Sequence, residues 1–129
     1  MTATTAGIRR YSCSYPAEPV QIRHVRAALA VLLRGCPRAD DTILIASEYA
    51  TNSVVHSVSR DGGEFTLRAE VQLNRLRIEV EDAGGPWVKS PGDDSRPSGF
   101  DVVAAIAGQQ NWGVAGGIGG RIAWATLSW

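Results

Sequence analysis

Glu48, Asn52 and His56 stand at steps of four in the stretch "SEYATNSVVHS", which follows an apolar run and reads as a buried helix. At about 100° per residue, Asn52 and His56 fall about 40° and 80° from Glu48. Ile43, Leu44, Ala50, Val54, Val55 and Val58 fall between about 200° and 340° and read as the core stripe. The trio therefore borders the apolar arc, where a helix can hang polar groups over the rim of a sheet. An amphipathic helix with partly exposed polar residues explains the same pattern. Downstream, Asp82 ends an alternating run and is followed by Ala83-Gly84-Gly85, where small residues admit close backbone approach. A carboxylate at a strand end is a simple acceptor for an amine such as the exocyclic N6 of adenine; an Asx-type turn is the plainer alternative. Ser98-Gly99 opens a short apolar helix at Phe100. A helix N terminus with glycine suits phosphate, although ordinary helix initiation needs the same residues.

The elements that must position these groups follow in a clear order. "IRRYSCSY" (8–15) has strand composition and stops at Pro16. From Pro19 to Leu33, Ile22, Val25, Ala28/Leu29 and Leu32/Leu33 recur at helical spacing, with Pro near the start and Gly35 beyond the end. Asp40 or Asp41 is placed to cap a second helix running to about Val58. Phe65, Leu67, Ala69, Val71 and Leu73 alternate on one strand face, and Leu76, Ile78 and Val80 on the next, joined at Asn74 as a tight hairpin. Residues 83–98 are rich in Gly, Pro, Asp and Ser, a long connection of the kind that is usually functional or mobile. A helix over 99–108 and a closing hairpin around Gly116–Gly120 complete the chain. The order β-α-α-β-β-α-β-β predicts an α/β (α+β) two-layer sandwich, with helices on one face of a mixed, mainly antiparallel sheet.

Composition narrows the function classes. The length of 129 residues predicts a single domain over 1–129, with a flexible N terminus over about 1–7. Thirteen basic residues balance thirteen acidic ones without a cationic cluster, which argues against direct nucleic-acid or membrane-surface binding. No apolar run reaches the roughly 20 residues that span a bilayer, and "MTATTAG" lacks the features of a signal peptide. Cys13 and Cys36 carry no metal-ligand spacing, and the expected setting is cytoplasmic with both thiols reduced.

Taken in order, these segments resemble the GHKL-type, histidine-kinase-like ATPase domains, and among them the bacterial anti-sigma-factor serine kinases. "SEYATNSVVHS" resembles the family's E-L-x-x-N-A-x-x-H helix box, "VEDAGGP" its D-x-G box, and "PSGFDVVAAIAGQQNWGV" its second glycine box with the helix and W-G strand that follow. "GGRIAWATL" is similar to the terminal strand, and "YSCSYPAEPVQIRHVRAAL" matches the first strand and helix in pattern. The resemblance implies a Bergerat-type ATP-binding fold with a lid over about 83–98. It implies Asn52 as the Mg²⁺ ligand, Glu48 as the general base, Asp82 and Gly84 at the adenine, and Gly99 with the Phe100 amide at the phosphates. His56 matches the box too; a structural hydrogen bond at the helix end is expected of it, with a catalytic role as the alternative. It further implies a serine on a STAS-type anti-anti-sigma protein as acceptor, a sigma factor as second partner, and a possible homodimer. Three departures stand out: Pro97 where the second box usually has its first Gly, Phe100 for the usual Leu, and Arg121-Ile122 where a supporting Thr is often found. Phe100 is a tolerable apolar swap; Pro97 and the altered last strand favour, as the alternative, a non-catalytic nucleotide-sensing or protein-binding module on the same fold.

Overall fold

The computed structural model describes residues 3–5, 7–85, 99–117 and 119–129. Among these residues nine regular elements follow one another: β1 (Ala3–Thr5), β2 (Ile8–Pro16), α1 (Ile22–Leu32), α2 (Ala39–His56), β3 (Glu64–Val71), β4 (Arg75–Asp82), α3 (Phe100–Ala107), β5 (Trp112–Gly117) and β6 (Gly120–Ser128). Short 3₁₀ turns precede α1 and follow α2. The strands form one sheet in the order β1-β2-β3-β4-β6-β5. Every pairing among the described residues is antiparallel, so the sheet is not mixed. The two-layer sandwich is as expected, with one addition. Residues 3–5, within the stretch expected to be flexible, pair with β2 after a turn at Gly7, whose φ of 80° suits glycine.

Alternation decides which sheet face is covered. In β4, Leu76, Ile78, Val80 and Asp82 are buried while Arg77, Glu79 and Glu81 are only partly covered. The buried row meets Val25, Leu29 and Leu33 from the first helical segment and Ile45, Ala46, Tyr49 and Ala50 of α2 in one core. The other face is wet and charged. There Arg68 pairs with Glu79 and Glu81, Arg77 pairs with Glu79, and the Arg77 guanidinium lies 4.7 Å from the Trp124 ring centroid.

Three local expectations need correction. α2 begins two to three residues early, so Arg38 is its N-cap without a side-chain cap, and Asp40 and Asp41 fall in the first turn, where the helix dipole favours them. Arg38 instead staples that helix end, donating to Asp41, to the Ser128 carbonyl and to the Ile106 carbonyl. Leu73, expected on the covered face, is 89% exposed: the Gln72 N–H bonds the Arg75 carbonyl, which turns the chain before Leu73 can pair. The core stripe of α2 was also misplaced. Leu44, Val55 and Val58 are exposed, while Thr42, Ile45, Ala46, Tyr49, Ala50, Asn52, Ser53 and Val54 are buried. Small side chains at 46, 50 and 53 let the helix axis approach the sheet closely, and that packing outweighs the larger apolar residues on the other side.

Candidate functional site

Topology gathers the polar groups at one end of the sheet. β4 ends at Asp82 where the antiparallel β6 begins, so Asp82 and Arg121 are direct cross-strand partners on the helix-facing side. The C-terminal half of α2 crosses above them. α3 joins β4 to the edge strand β5 and brings its N-cap, Gly99, to the same end.

Asp82 is buried, and each of its oxygens is engaged. Oδ2 accepts from the Ser53 hydroxyl at 2.6 Å and from Arg121 Nη2 at 2.9 Å, and Oδ1 accepts from the Gly84 N–H at 2.7 Å. The last bond is an Asx-type turn, so the plainer expectation for Asp82 is present. The side chains of Arg121 and Asp82 are 5% and 3% exposed, which makes this a buried ion pair. Gly84 has φ 75°, and a Cβ there would overlap the Gly117 carbonyl oxygen of the β5–β6 turn. Its missing side chain thus permits a backbone-to-backbone approach within the protein. The same loop is strapped to the end of α2, since the Val58 N–H donates to the Gly84 carbonyl and the Ala83 N–H to Ser59 Oγ.

Glu48 and Asn52 form the other half. They are four residues apart, hence roughly 6 Å along the helix axis. Glu48 is half-buried against Gly99, so closely that a Cβ on Gly99 would overlap the Glu48 carboxylate. Gly99 has φ 91° and caps α3, with its carbonyl accepting from the Val103 N–H. Asn52 is 4% exposed, and neither its amide nitrogen nor its amide oxygen has a hydrogen-bond partner. Buried amides are nearly always paired, because leaving one group unsatisfied costs about 1–3 kcal/mol. An amide oxygen held in this state is a fit ligand for a hard cation. Among the described residues no group of three or more His, Cys, Asp or Glu side chains can hold a metal alone. A cation here would therefore depend on oxygens brought by a ligand.

Phe100 points its ring into the scaffold, edge-on to Tyr49 at 6.3 Å and 5.5 Å from the Trp112 ring. Only its backbone remains a candidate for ligand contact. The Tyr49 hydroxyl donates to the Trp124 carbonyl at 2.8 Å, and burial pushes its pKa well up, so it stays a neutral donor. His56 lies in the last turn of α2. Of the expected lid, only Ala83–Gly85 are described; Pro97 and Ser98 lie outside the described residues.

Sequence reasoning missed Ser53, although the residue lies inside the stretch "SEYATNSVVHS". A small hydroxyl about 140° from Glu48 on the helix wheel is the signal, once the buried arc is placed correctly.

Comparison with known proteins decides the family. The profile of the histidine kinase-like ATPase domain matches residues 15–119. The chain belongs to this family. A search of curated proteins finds no match. Among solved structures, the crystal structure of the RsbU and RsbW domains of Rv1364c from Mycobacterium tuberculosis is similar, with a TM-score of 0.69 and 20% identity. The likeness covers 92% of this chain and 32% of that one, so this chain spans about a third of its neighbour's length, and the likeness is one of fold. As a histidine kinase-like ATPase domain, the chain has a fold that binds ATP, and Glu48, Asn52, Asp82 and Gly99 fall at the end of the sheet described above. No described helix is long and apolar enough to cross a membrane.

Proposed function

We propose that this chain is an ATP-dependent serine protein kinase of the anti-sigma-factor type, with its Mg–ATP site along the edge of α2 between the end of β4 and the start of α3. The observation that carries this is Asn52, a buried amide with no partner, one turn from a carboxylate that abuts a glycine-capped helix N terminus. Asn52 Oδ1 would hold Mg²⁺. The ion, when bound, supplies charge neutralisation between the phosphates. Gly99 and the Phe100 amide would lie along the phosphates, where the positive end of the α3 dipole favours anions. Asp82 and Gly84 would border the base. Glu48 would accept the proton of a substrate serine as its Oγ bonds the γ-phosphorus, the bond to the β,γ-bridging oxygen breaks and ADP leaves.

The family resemblance and the RsbW-domain neighbour support a STAS-type anti-anti-sigma protein as acceptor and a sigma factor as the sequestered partner. A homodimer and a cytoplasmic setting belong to the same proposal. A second reading is a non-catalytic nucleotide sensor or adaptor. It is favoured by one observation, the Arg121 guanidinium seated on Asp82.

The test is transfer of labelled γ-phosphate, with Mg²⁺, to candidate STAS proteins by wild type and Glu48→Gln. The proposal expects labelling of a serine and a loss of about 10²- to 10⁴-fold in the variant with ATP affinity largely kept. Equal transfer by both proteins contradicts the assignment of the base. Mg-dependent binding without transfer to any partner favours the sensor.

A further inference from the structure

The outward face of α2 carries almost no charge. With Glu48 at zero and about 100° per residue, the buried residues of α2 run from Asn52 at about 40° to Val54 at about 240°. The remaining arc, about 260° to 360°, holds Ser47, Thr51, Leu44 and Val55 and closes on Glu48 itself. Leu44 is 43% exposed and Val55 46%. The outer face of a surface helix is ordinarily charged or polar, yet Glu48 is the only charged residue between Leu44 and Val55. The two hydroxyls add little polarity. Ser47 Oγ donates to the Ile43 carbonyl at 2.7 Å, and Thr51 Oγ1 to the Ser47 carbonyl at 2.8 Å. With both O–H donors spent inside the helix, covering the stripe strips little hydration from unsatisfied groups. The neighbouring helix adds a rim of one sign. α1 packs beside α2 and carries Arg23 and Arg26, both exposed, with Arg34 exposed just beyond its end. No acidic residue lies between Pro19 and Pro37. None of the three guanidiniums has an ion-pair partner among the described residues.

We infer that the stripe Leu44–Ser47–Thr51–Val55 is the surface on which the serine-bearing acceptor protein docks, and that the acceptor brings to it an apolar patch rimmed by acidic side chains. This rests on the kinase reading above and names its contact surface. Two features commit the stripe to that occupant. It closes on Glu48, the proposed base, so a protein seated on it has a hydroxyl within reach of that carboxylate. The arginines of α1 beside it complement an acidic rim, and such complementarity sets the speed and register of docking.

The experiment is steady-state phosphate transfer from Mg–ATP to the STAS protein that the wild type labels, with its concentration varied, for wild type, Leu44→Glu and Val55→Glu. Each variant is expected to raise KM for the acceptor by about tenfold or more, because the new charge is covered without a partner and faces an acidic rim. Both kcat and the calorimetric dissociation constant for Mg–ATP should stay within about threefold of wild type, which separates lost docking from a damaged site. The wild-type KM should rise with salt, and Arg23→Glu/Arg26→Glu should flatten that rise. Unchanged KM in folded Leu44→Glu and Val55→Glu, with the acceptor still labelled, overturns the inference and leaves the kinase reading standing. If either variant fails to fold, hydrogen exchange over residues 44–55 of the wild type decides: the acceptor must slow it, and unaltered exchange overturns the inference. A wild-type dimer that Val55→Glu dissociates gives the stripe to a second copy and overturns the acceptor assignment. No labelling of any STAS protein by the wild type overturns both this inference and the reading on which it rests.

Discussion

Replacing Asn52 by Leu should make the free protein more stable while removing its Mg-dependent nucleotide binding. Leu keeps the branched outline at Cγ and deletes both unpartnered amide atoms, which are buried beneath the surface of α2. An unsatisfied buried polar group costs about 1–3 kcal/mol, and its loss returns that amount. Unfolding entropy near 2.1 cal/mol/K per residue gives roughly 0.27 kcal/mol/K for 129 residues. The expected rise in Tm is therefore about 4–11 °C. Thermal melts by circular dichroism, with and without Mg–ATP, give both readouts. Wild type should gain stability with Mg–ATP, because a ligand that binds only the folded state raises its stability. Asn52→Leu should melt higher alone and gain nothing from the ligand. A variant that melts lower than wild type and still responds to Mg–ATP would refute the reasoning, since Asn52 would then be a structural amide. The expected pattern, stability given up at a functional position, is common in binding sites.

Gly99→Ala should destabilise the protein by about 1–2 kcal/mol from the left-handed backbone alone, because φ is 91° there, and the new Cβ would push Glu48 aside. Melts report the first effect and loss of phosphate transfer the second; an active, fully stable variant would contradict the placement of Glu48. Alkaline pH should destabilise the fold: burial raises the pKa of Tyr49, and of Tyr15, whose hydroxyl also bonds that of Tyr11 at 2.7 Å. The unfolded chain loses these protons near pH 10 while the folded one keeps them, so stability is full below about pH 10 and falls as pH rises beyond it. Urea melts from pH 8 to 11 check this, and Tyr49→Phe should flatten the decline.

How much of this was legible from the sequence depends on the range of the interaction. The strands were readable because alternation is local: Leu76, Ile78 and Val80 take the covered face, with Asp82 continuing the same row. Asn52 and Gly99 stand out as candidates by spacing and resemblance. The face of α2 was misjudged, because size drew attention to Leu44, Val55 and Val58, whereas close packing on a sheet selects Ala46, Ala50 and Ser53. The Arg121–Asp82 pair was not legible as a contact. It depends on a register between strands 39 residues apart in sequence, fixed only when α3 crosses over and β6 settles beside β4. Nor can a sequence reveal that an asparagine will be buried without a partner, since that is a property of the neighbours the fold brings to it.

The proposed magnesium-dependent nucleotide site centred on Asn52 stands or falls on calorimetric titration of wild type with ATP, in Mg²⁺ and in chelator. Binding should weaken sharply when Mg²⁺ is removed and disappear in Asn52→Leu. Absence of binding, or binding indifferent to both Mg²⁺ and Asn52, would contradict it.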